Sequence, residues 1–324
     1  CQTNCMTPQT DANNNEYIRI RIAAMVPNKL TTFDMYVFIN GKYIKYLNKG
    51  DALDDAKIRK LSSHKTDVFY IREEDKGAFK KYIHDTVNSD ELTSEQKAVI
   101  LKESSYALVE ELFENPDVEK ALNDAKGIIG NFIEFIDQED DAIANLISLS
   151  SHDFYTYNHS LDVSIYSLGL GQLLGYESAK LEELGRGSLF HDLGKRMVNP
   201  AIICKDGPLN DEEWAEMQQH PLWGLKILND IPNISEDIKA CAFEHHENFL
   251  GNGYPQGLDG EDIHPMARII AITDCYDALT TQRSYNEPMD PMAALEFMKE
   301  KLGKKFDPDM LKAMHSVLFQ LKAG

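Results

Sequence analysis

The 324-residue chain is predicted to be mainly α: an all-helical metal-binding bundle preceded by a small α/β domain. Three observations carry this expectation. Period-two alternation is confined to the N-terminal quarter. Helical periodicity prevails from about residue 91 onward. Five histidines and two aspartates, chemistry suited to a bundle metal site, are gathered between residues 159 and 274.

Taken in order, residues 1–15 are polar and Asn-rich and read as a disordered tail, not a signal peptide. Cys1 in place of a methionine reads as a processed or trimmed start, with a lipid-modified cysteine as the minor alternative. Residues 17–22, Tyr-Ile-Arg-Ile-Arg-Ile, alternate as a half-buried strand. Residues 35–39 and 43–47 flank Asn40-Gly41, a strong hairpin signal. Residues 67–71 read as a further strand, followed by a helix to about Val87. This small domain, 16–88, has no cluster of catalytic residue types and is read as a sensing, docking or dimerising module.

Residues 89–150 are predicted to be a helical linker, with helices over 92–113, 117–136 and from Glu139, able to pair with a second copy. Asn115-Pro116 breaks the first, because a residue before proline avoids the helical region. Residues 151–324 form the second domain, again helical, with no Gly/Ser linker and no internal repeat.

Composition excludes several classes. A net charge of −20 repels nucleic acid and anionic lipid, so an anionic substrate needs local cations or metals. No apolar run approaches the roughly 20 residues of a membrane span. Five scattered cysteines do not make a disulfide framework, which points to a reducing cytoplasm. Cys241 and Cys275 read as buried small hydrophobes.

The candidate ligands fall on separate helices or helix ends. His159 sits early in a helix ending near Leu174. His191 and Asp192 are expected to close a helix begun near Ser178, with Gly194 as its terminator. His220 is expected to end the helix opened by Asn210-Asp211-Glu212-Glu213, where acidic residues suit the first turn. His245 and His246 end a helix starting near Ser235, and Asp274 lies inside a helix over 267–281. A single histidine on a mixed helix is more often a surface or core residue, and His64, His84, His152, His264 and His315 are left in that class. The chain carries its own control: His84-Asp85 and His152-Asp153 are also His-Asp pairs, but only His191-Asp192 is followed by Leu-Gly-Lys. Asp192 has two oxygens with which to bridge cations about 3.5–4 Å apart, the arrangement of two-metal phosphoester chemistry. Imidazoles with few carboxylates favour Fe, Mn, Zn, Co or Ni over Mg or Ca.

At these residues the stretch 155–286 resembles the HD-GYP domain, a branch of the HD metal-dependent phosphohydrolases. The likeness runs through His159-Ser160, His191-Asp192-Leu193-Gly194-Lys195, Met217-Gln218-Gln219-His220-Pro221 and His245-His246-Glu247. It continues through Gly251-Asn252-Gly253-Tyr254-Pro255-Gln256-Gly257-Leu258 and Asp274-Cys275-Tyr276-Asp277-Ala278-Leu279-Thr280. The resemblance implies hydrolysis of cyclic di-GMP, a bacterial second messenger, to pGpG or GMP. It implies metal ligands at His159, His191, Asp192, His220, His245, His246 and Asp274, holding two divalent transition metals, with Fe first and Mn or another metal as alternatives. Asp192 and Lys195 carry the catalytic roles. Lys195 and Arg283 would contact phosphate, and Gly253, Tyr254 and Pro255 would form a loop beside the pocket. In the family that loop is also proposed to meet partner proteins such as a diguanylate cyclase. Tyr155 stands where some members have a Glu that supports a third metal, so two metals are expected. Leu250 and Asn286 replace an Asp and a basic residue common in the family, which bears on substrate choice. The alternatives are another nucleotide substrate, a metal-bound cyclic di-GMP receptor or scaffold with little turnover, and redox chemistry at a di-iron centre.

Overall fold

Asn40 and Gly41 both take positive φ, 50° and 77°, the backbone that a two-residue hairpin turn demands. They join β2, Met35–Ile39, to β3, Lys42–Leu47. With β1, Tyr17–Arg21, and β4, Val68–Arg72, these make a four-stranded antiparallel sheet of order β1-β4-β2-β3. Register pairs Ile18 with Ile71 and Ile20 with Phe69, all four buried. Period-two alternation therefore sets one face of the sheet. This computed structural model describes residues 16–62, 68–149, 156–281 and 288–319. The predicted tail, His64, His152, Tyr155, Arg283 and Asn286 lie outside the described residues.

The chain divides into two units, residues 1–117 with 137–149 and residues 118–136 with 150–324. In the first, the sheet is joined by helices α1, Asp55–Ser62, and α2, Lys76–Val87. The expected strand and helix around residues 67–87 are both present, whereas α1 had no counterpart in the sequence reading. Its charged, short and weakly apolar sequence gives little period to detect. Helix α3, Ser94–Glu114, stops just before Asn115-Pro116 as expected. It is tied to β1 by Arg19–Glu110 at 2.6 Å and Arg21–Glu103 at 3.2 Å. The chain then passes through α4, Val118–Gln138, to α5, Ala142–Ser148. The buried Lys97 pairs with Glu139 at 2.5 Å within this same unit.

The second unit is all helical. Residues of α4 bury Leu122, Ile129 and Phe132 on one face. Helices α6, Thr156–Leu173, and α7, Ser178–Leu189, come next. They are followed by a tight turn over Leu193–Met197 and a one-turn helix α8, Pro200–Ile203. Then come α9, Asp211–Met217, α10, His220–Asn229, and α11, Glu236–Glu244. Helices α12, Pro265–Thr280, α13, Pro291–Phe297, and α14, Pro308–Phe319, complete it. Helix α6 is buried around its whole girth from Asn158 to Gly171, polar residues such as Asp162 and Ser164 included, as befits a helix at the centre of a bundle. It meets α12 through the edge-to-face pair Tyr166–Tyr276 at 5.2 Å and through Ser167 Oγ–Thr273 Oγ1 at 2.9 Å. Among the described residues no helix is long and apolar enough to cross a membrane.

Three local expectations are corrected. His220 opens α10 instead of ending α9, which stops at Met217. Pro221 is the reason: proline suits the first turn of a helix, where its missing N–H has no partner to lose, so a new helix starts there. Gly194 is not a left-handed terminator. Helix α7 ends at Leu189, and Gly194 lies beyond it in the Leu193–Met197 turn, outside the glycines with positive φ. Cys241 is buried as expected, but Cys275 is only half-buried.

Candidate metal centre

Each candidate ligand is set by a local feature. His159 lies in the first turn of α6. His191 and Asp192 occupy the bend between α7 and the following turn. His220 is the first residue of α10, and His245 caps the C-terminus of α11. Asp274 and Asp277 lie one turn apart on α12. His159, His191, Asp192, His220 and His245 are all buried.

The hydrogen bonds fix the protons. His191 Nδ1 lies 2.6 Å from the Ser188 carbonyl, and His220 Nδ1 lies 2.8 Å from the Met217 carbonyl. His245 Nδ1 lies 3.1 Å from the carbonyls of both Cys241 and Ala242. A carbonyl only accepts, so each of these rings donates from Nδ1 and presents a bare lone pair at Nε2. Those lone pairs converge. His220 Nε2 and His245 Nε2 are 3.2 Å apart. His220 Nε2 is 3.3 Å from Asp192 Oδ1, and His191 Nε2 is 3.4 Å from Asp192 Oδ2. His191 Nε2 and Asp192 Oδ1 are buried without a hydrogen-bond partner. Lone pairs facing lone pairs and a carboxylate in a dry site repel unless a cation sits among them.

Two sets of such donors lie close enough together to hold an ion: Asp192 with His220, His245 and His246, and Asp192 with His159 and His191. Asp192 belongs to both. Asp274 joins at the second set, its Oδ1 3.3 Å from His159 Nε2. The seven side chains picked from the sequence are thus brought to one place. Imidazoles and two carboxylates suit borderline divalent transition metals, so the residues present fit the expected cofactor class.

Electrostatics follow burial. Burial drives His220 down to about 3 and His246 to about 4, because a cationic ring loses its water, and it holds His245 well below the ordinary histidine value. At His159 burial acts in the same direction, but the Asp274 and Asp277 carboxylates outweigh it and lift the ring to about 9. At Asp192 burial opposes ionisation, yet Lys195 and the surrounding histidines hold the carboxyl well below its usual range. Lys195 Nζ lies 2.5 Å from Asp192 Oδ2. A depressed histidine pKa means that the unfolded chain takes up more protons as pH falls below about 6.5. Chelator-treated protein is therefore expected to lose stability steadily between about pH 6.5 and pH 4. Urea midpoints measured across that window check this; a flat profile contradicts it.

Residues that the sequence reading left without a role complete the site. Asp277, fully buried, accepts from His159 Nδ1 at 2.6 Å and from Thr281 Oγ1 at 3.2 Å. This orients the ring as carboxylates behind metal-binding histidines do. Its position three residues after Asp274 on one helix was the available signal. Glu247, also buried, accepts backbone N–H groups of Gln256 at 2.6 Å, Gly257 at 3.0 Å and Leu258 at 3.0 Å. Those bonds fold the Gly-Tyr-Pro loop back on itself. A Cβ on Gly253 would lie 2.6 Å from the His246 carbonyl oxygen, so only glycine fits there. Tyr254 stacks on His246 with centroids 4.8 Å apart, and partial burial raises the pKa of its phenol and keeps it protonated. Gly253 and Tyr254 line a cavity of about 470 Å³ that reaches His246 and Asp274, whereas Pro255 is exposed. Glu247→Ala is expected to strand three backbone donors and cost on the order of 3 kcal/mol, read as a denaturant midpoint shift.

Fold and site together define a mainly helical protein whose second unit gathers a histidine and aspartate cluster able to hold metal. The family model of the HD domain matches residues 141–310, just over half of the chain, and the chain belongs to that family as an HD-GYP domain protein. It is 31% identical over 218 residues to a cyclic di-GMP phosphodiesterase of Pseudomonas aeruginosa, covering 67% of this chain and 52% of that one. It is 35% identical over 164 residues to a 3'3'-cGAMP-specific phosphodiesterase of Vibrio cholerae, covering 51% and 35%. The chain thus spans about half or less of the length of these curated relatives. The solved structure of an HDG"Y"P protein from Bdellovibrio bacteriovorus superposes with a TM-score of 0.73 at 24% identity, covering 94% of this chain and all of that one. That likeness shows the fold.

Proposed function

We propose that this chain is a two-metal phosphodiesterase that hydrolyses cyclic di-GMP to pGpG or GMP. The observation that carries the proposal is the convergence of bare imidazole lone pairs on the two oxygens of one buried carboxylate, Asp192. Similarity to curated cyclic dinucleotide phosphodiesterases supports the substrate class.

In this reading His220, His245 and His246 hold one cation, His159, His191 and Asp274 hold the other, and Asp192 is common to both. When bound, such a pair supplies a water acidified to near-neutral pKa and Lewis-acid stabilisation of the phosphoryl oxygens. The donor set admits Fe, Mn, Zn, Co or Ni, and the family resemblance puts iron first, with manganese or another metal as the alternative. Asp277 keeps the His159 ring oriented, and the Ser188, Met217, Cys241 and Ala242 carbonyls keep the other three rings in the ligating tautomer. Lys195, only partly buried, turns from Asp192 toward a substrate phosphate oxygen and balances its charge. Arg283 is assigned the same task. The acidic net charge makes such local cations necessary. The Gly-Tyr-Pro loop walls the pocket and offers a face to a signalling partner.

The test is turnover by the full chain loaded anaerobically with Fe(II) or with Mn(II). Cyclic di-GMP is expected to be converted to pGpG or GMP. Tight binding without turnover would move the assignment to a receptor. Preferential cleavage of 3'3'-cGAMP would move it to the other nucleotide carried by its relatives.

A further inference from the structure

We propose that Trp214 stacks on a nucleobase of the substrate, which makes the cavity beside the metal cluster a purine subsite. The inference rests on the phosphodiesterase reading above and names a substrate-binding residue that reading lacks.

Trp214 is 47% exposed although it is among the largest apolar side chains in the protein. It does not serve the core: helix α9, which carries it, has no buried residue. The helix is nevertheless firmly held. Asn210 and Glu213 close a capping box at its start, Glu213 also pairs with Lys205, and Glu216 accepts the Asn199 N–H at 2.8 Å. The result is a fixed platform that presents an indole to the 470 Å³ cavity, a volume in the range of small-ligand sites.

The indole continues an aromatic wall. Its centroid is 6.3 Å from that of Tyr254, edge to face, and Tyr254 in turn stacks on His246. The wall therefore runs from solvent to a residue of the cation-holding set. Gln218, Asn248 and Asn252 line the same cavity; Asn248 Oδ1 already accepts the Leu250 N–H at 3.1 Å, so Gln218 and Asn252 are the amides that would meet a base edge. A phosphodiester placed at the cluster thus finds, next to it, a π-face for its purine and amides for that purine's rim. Stacking of a base on an aromatic side chain is sequence-tolerant and strong enough to shift affinity about tenfold or more.

The experiment compares Trp214→Phe and Trp214→Leu with the unmodified protein, all loaded with Mn(II). Leucine keeps apolar cover over Tyr254 but removes the stacking face, and phenylalanine keeps a face. Trp214→Leu is expected to raise KM for cyclic di-GMP about tenfold with kcat within threefold, and Trp214→Phe to recover most of the loss. Metal content is expected to be unchanged in both. An unaltered KM in Trp214→Leu, or equal losses in Leu and Phe, overturns the inference. The chain has two tryptophans, so Trp223→Phe leaves Trp214 as the sole indole emitter. GMP is expected to quench that emission saturably. If the unmodified protein fails to cleave cyclic di-GMP, the phosphodiesterase reading falls, and the GMP titration alone decides the subsite: quenching sustains it, and its absence ends it.

Discussion

Asp192→Ala is expected to empty the centre of metal and lower phosphodiesterase turnover by on the order of 10³-fold or more. Among the described residues no other side chain belongs to both sets of candidate donors. Its two oxygens lie 3.3 Å from His220 Nε2 and 3.4 Å from His191 Nε2, so one substitution removes the shared anion from both. Lys195 also loses its partner at 2.5 Å. Elemental analysis after anaerobic loading and a cyclic di-GMP assay read the two effects together. The metal-free fold is expected to survive, because alanine in that position leaves no unpaired buried charge. Asp192→Asn, nearly isosteric but neutral, is expected to lose metal likewise. Full metal occupancy in either variant would remove Asp192 from its bridging place.

Gly194→Ala is expected to be the most damaging glycine-to-alanine change among the described residues. A Cβ there would lie 1.8 Å from the His220 carbonyl oxygen and 2.5 Å from the Gly224 nitrogen. Both are backbone atoms, so no rotamer change relieves the collision. Helix α10 must move as a body, at a cost on the order of 4 kcal/mol. That helix begins with His220, so the shift also carries a candidate ligand away from Asp192. Denaturant midpoints and metal content are expected to fall together. Gly127→Ala in α4 is the contrasting case: nothing lies within 4 Å of the added carbon, and removing a helical glycine should stabilise by about 0.5–1 kcal/mol.

The outcome at individual residues shows which signals are local. The Asn40-Gly41 hairpin, the break at Asn115-Pro116, and the α9 and α11 starts at Asn210 and Ser235 were readable, because their causes lie within three or four residues. The seven candidate ligands were readable as a set because His-Asp-Leu-Gly-Lys and His-His-Glu are uncommon strings at a specific spacing. The place of His220 was misread: an acidic helix start upstream outweighed the proline beside it. Gly194 was misread because its reason for being glycine is the His220 carbonyl, 26 positions along the chain. Asp277, Glu247 and Trp214 were passed over for the same reason. What each does is decided by a ring, a row of amides or a cavity contributed by another segment.

By itself, then, the order of residues determined the helical class, the sheet at the N-terminal end, and the list of side chains able to bind metal, since these depend on periodicity, turn chemistry and donor type. Only the tertiary structure decided that both oxygens of Asp192 lie beside histidine nitrogens, which nitrogen of His191, His220 and His245 is bare, and which glycine lets α10 approach. Tautomer, shared ligation and close approach are relations between distant segments, and they take definite values only once packing has fixed the distances and excluded the water.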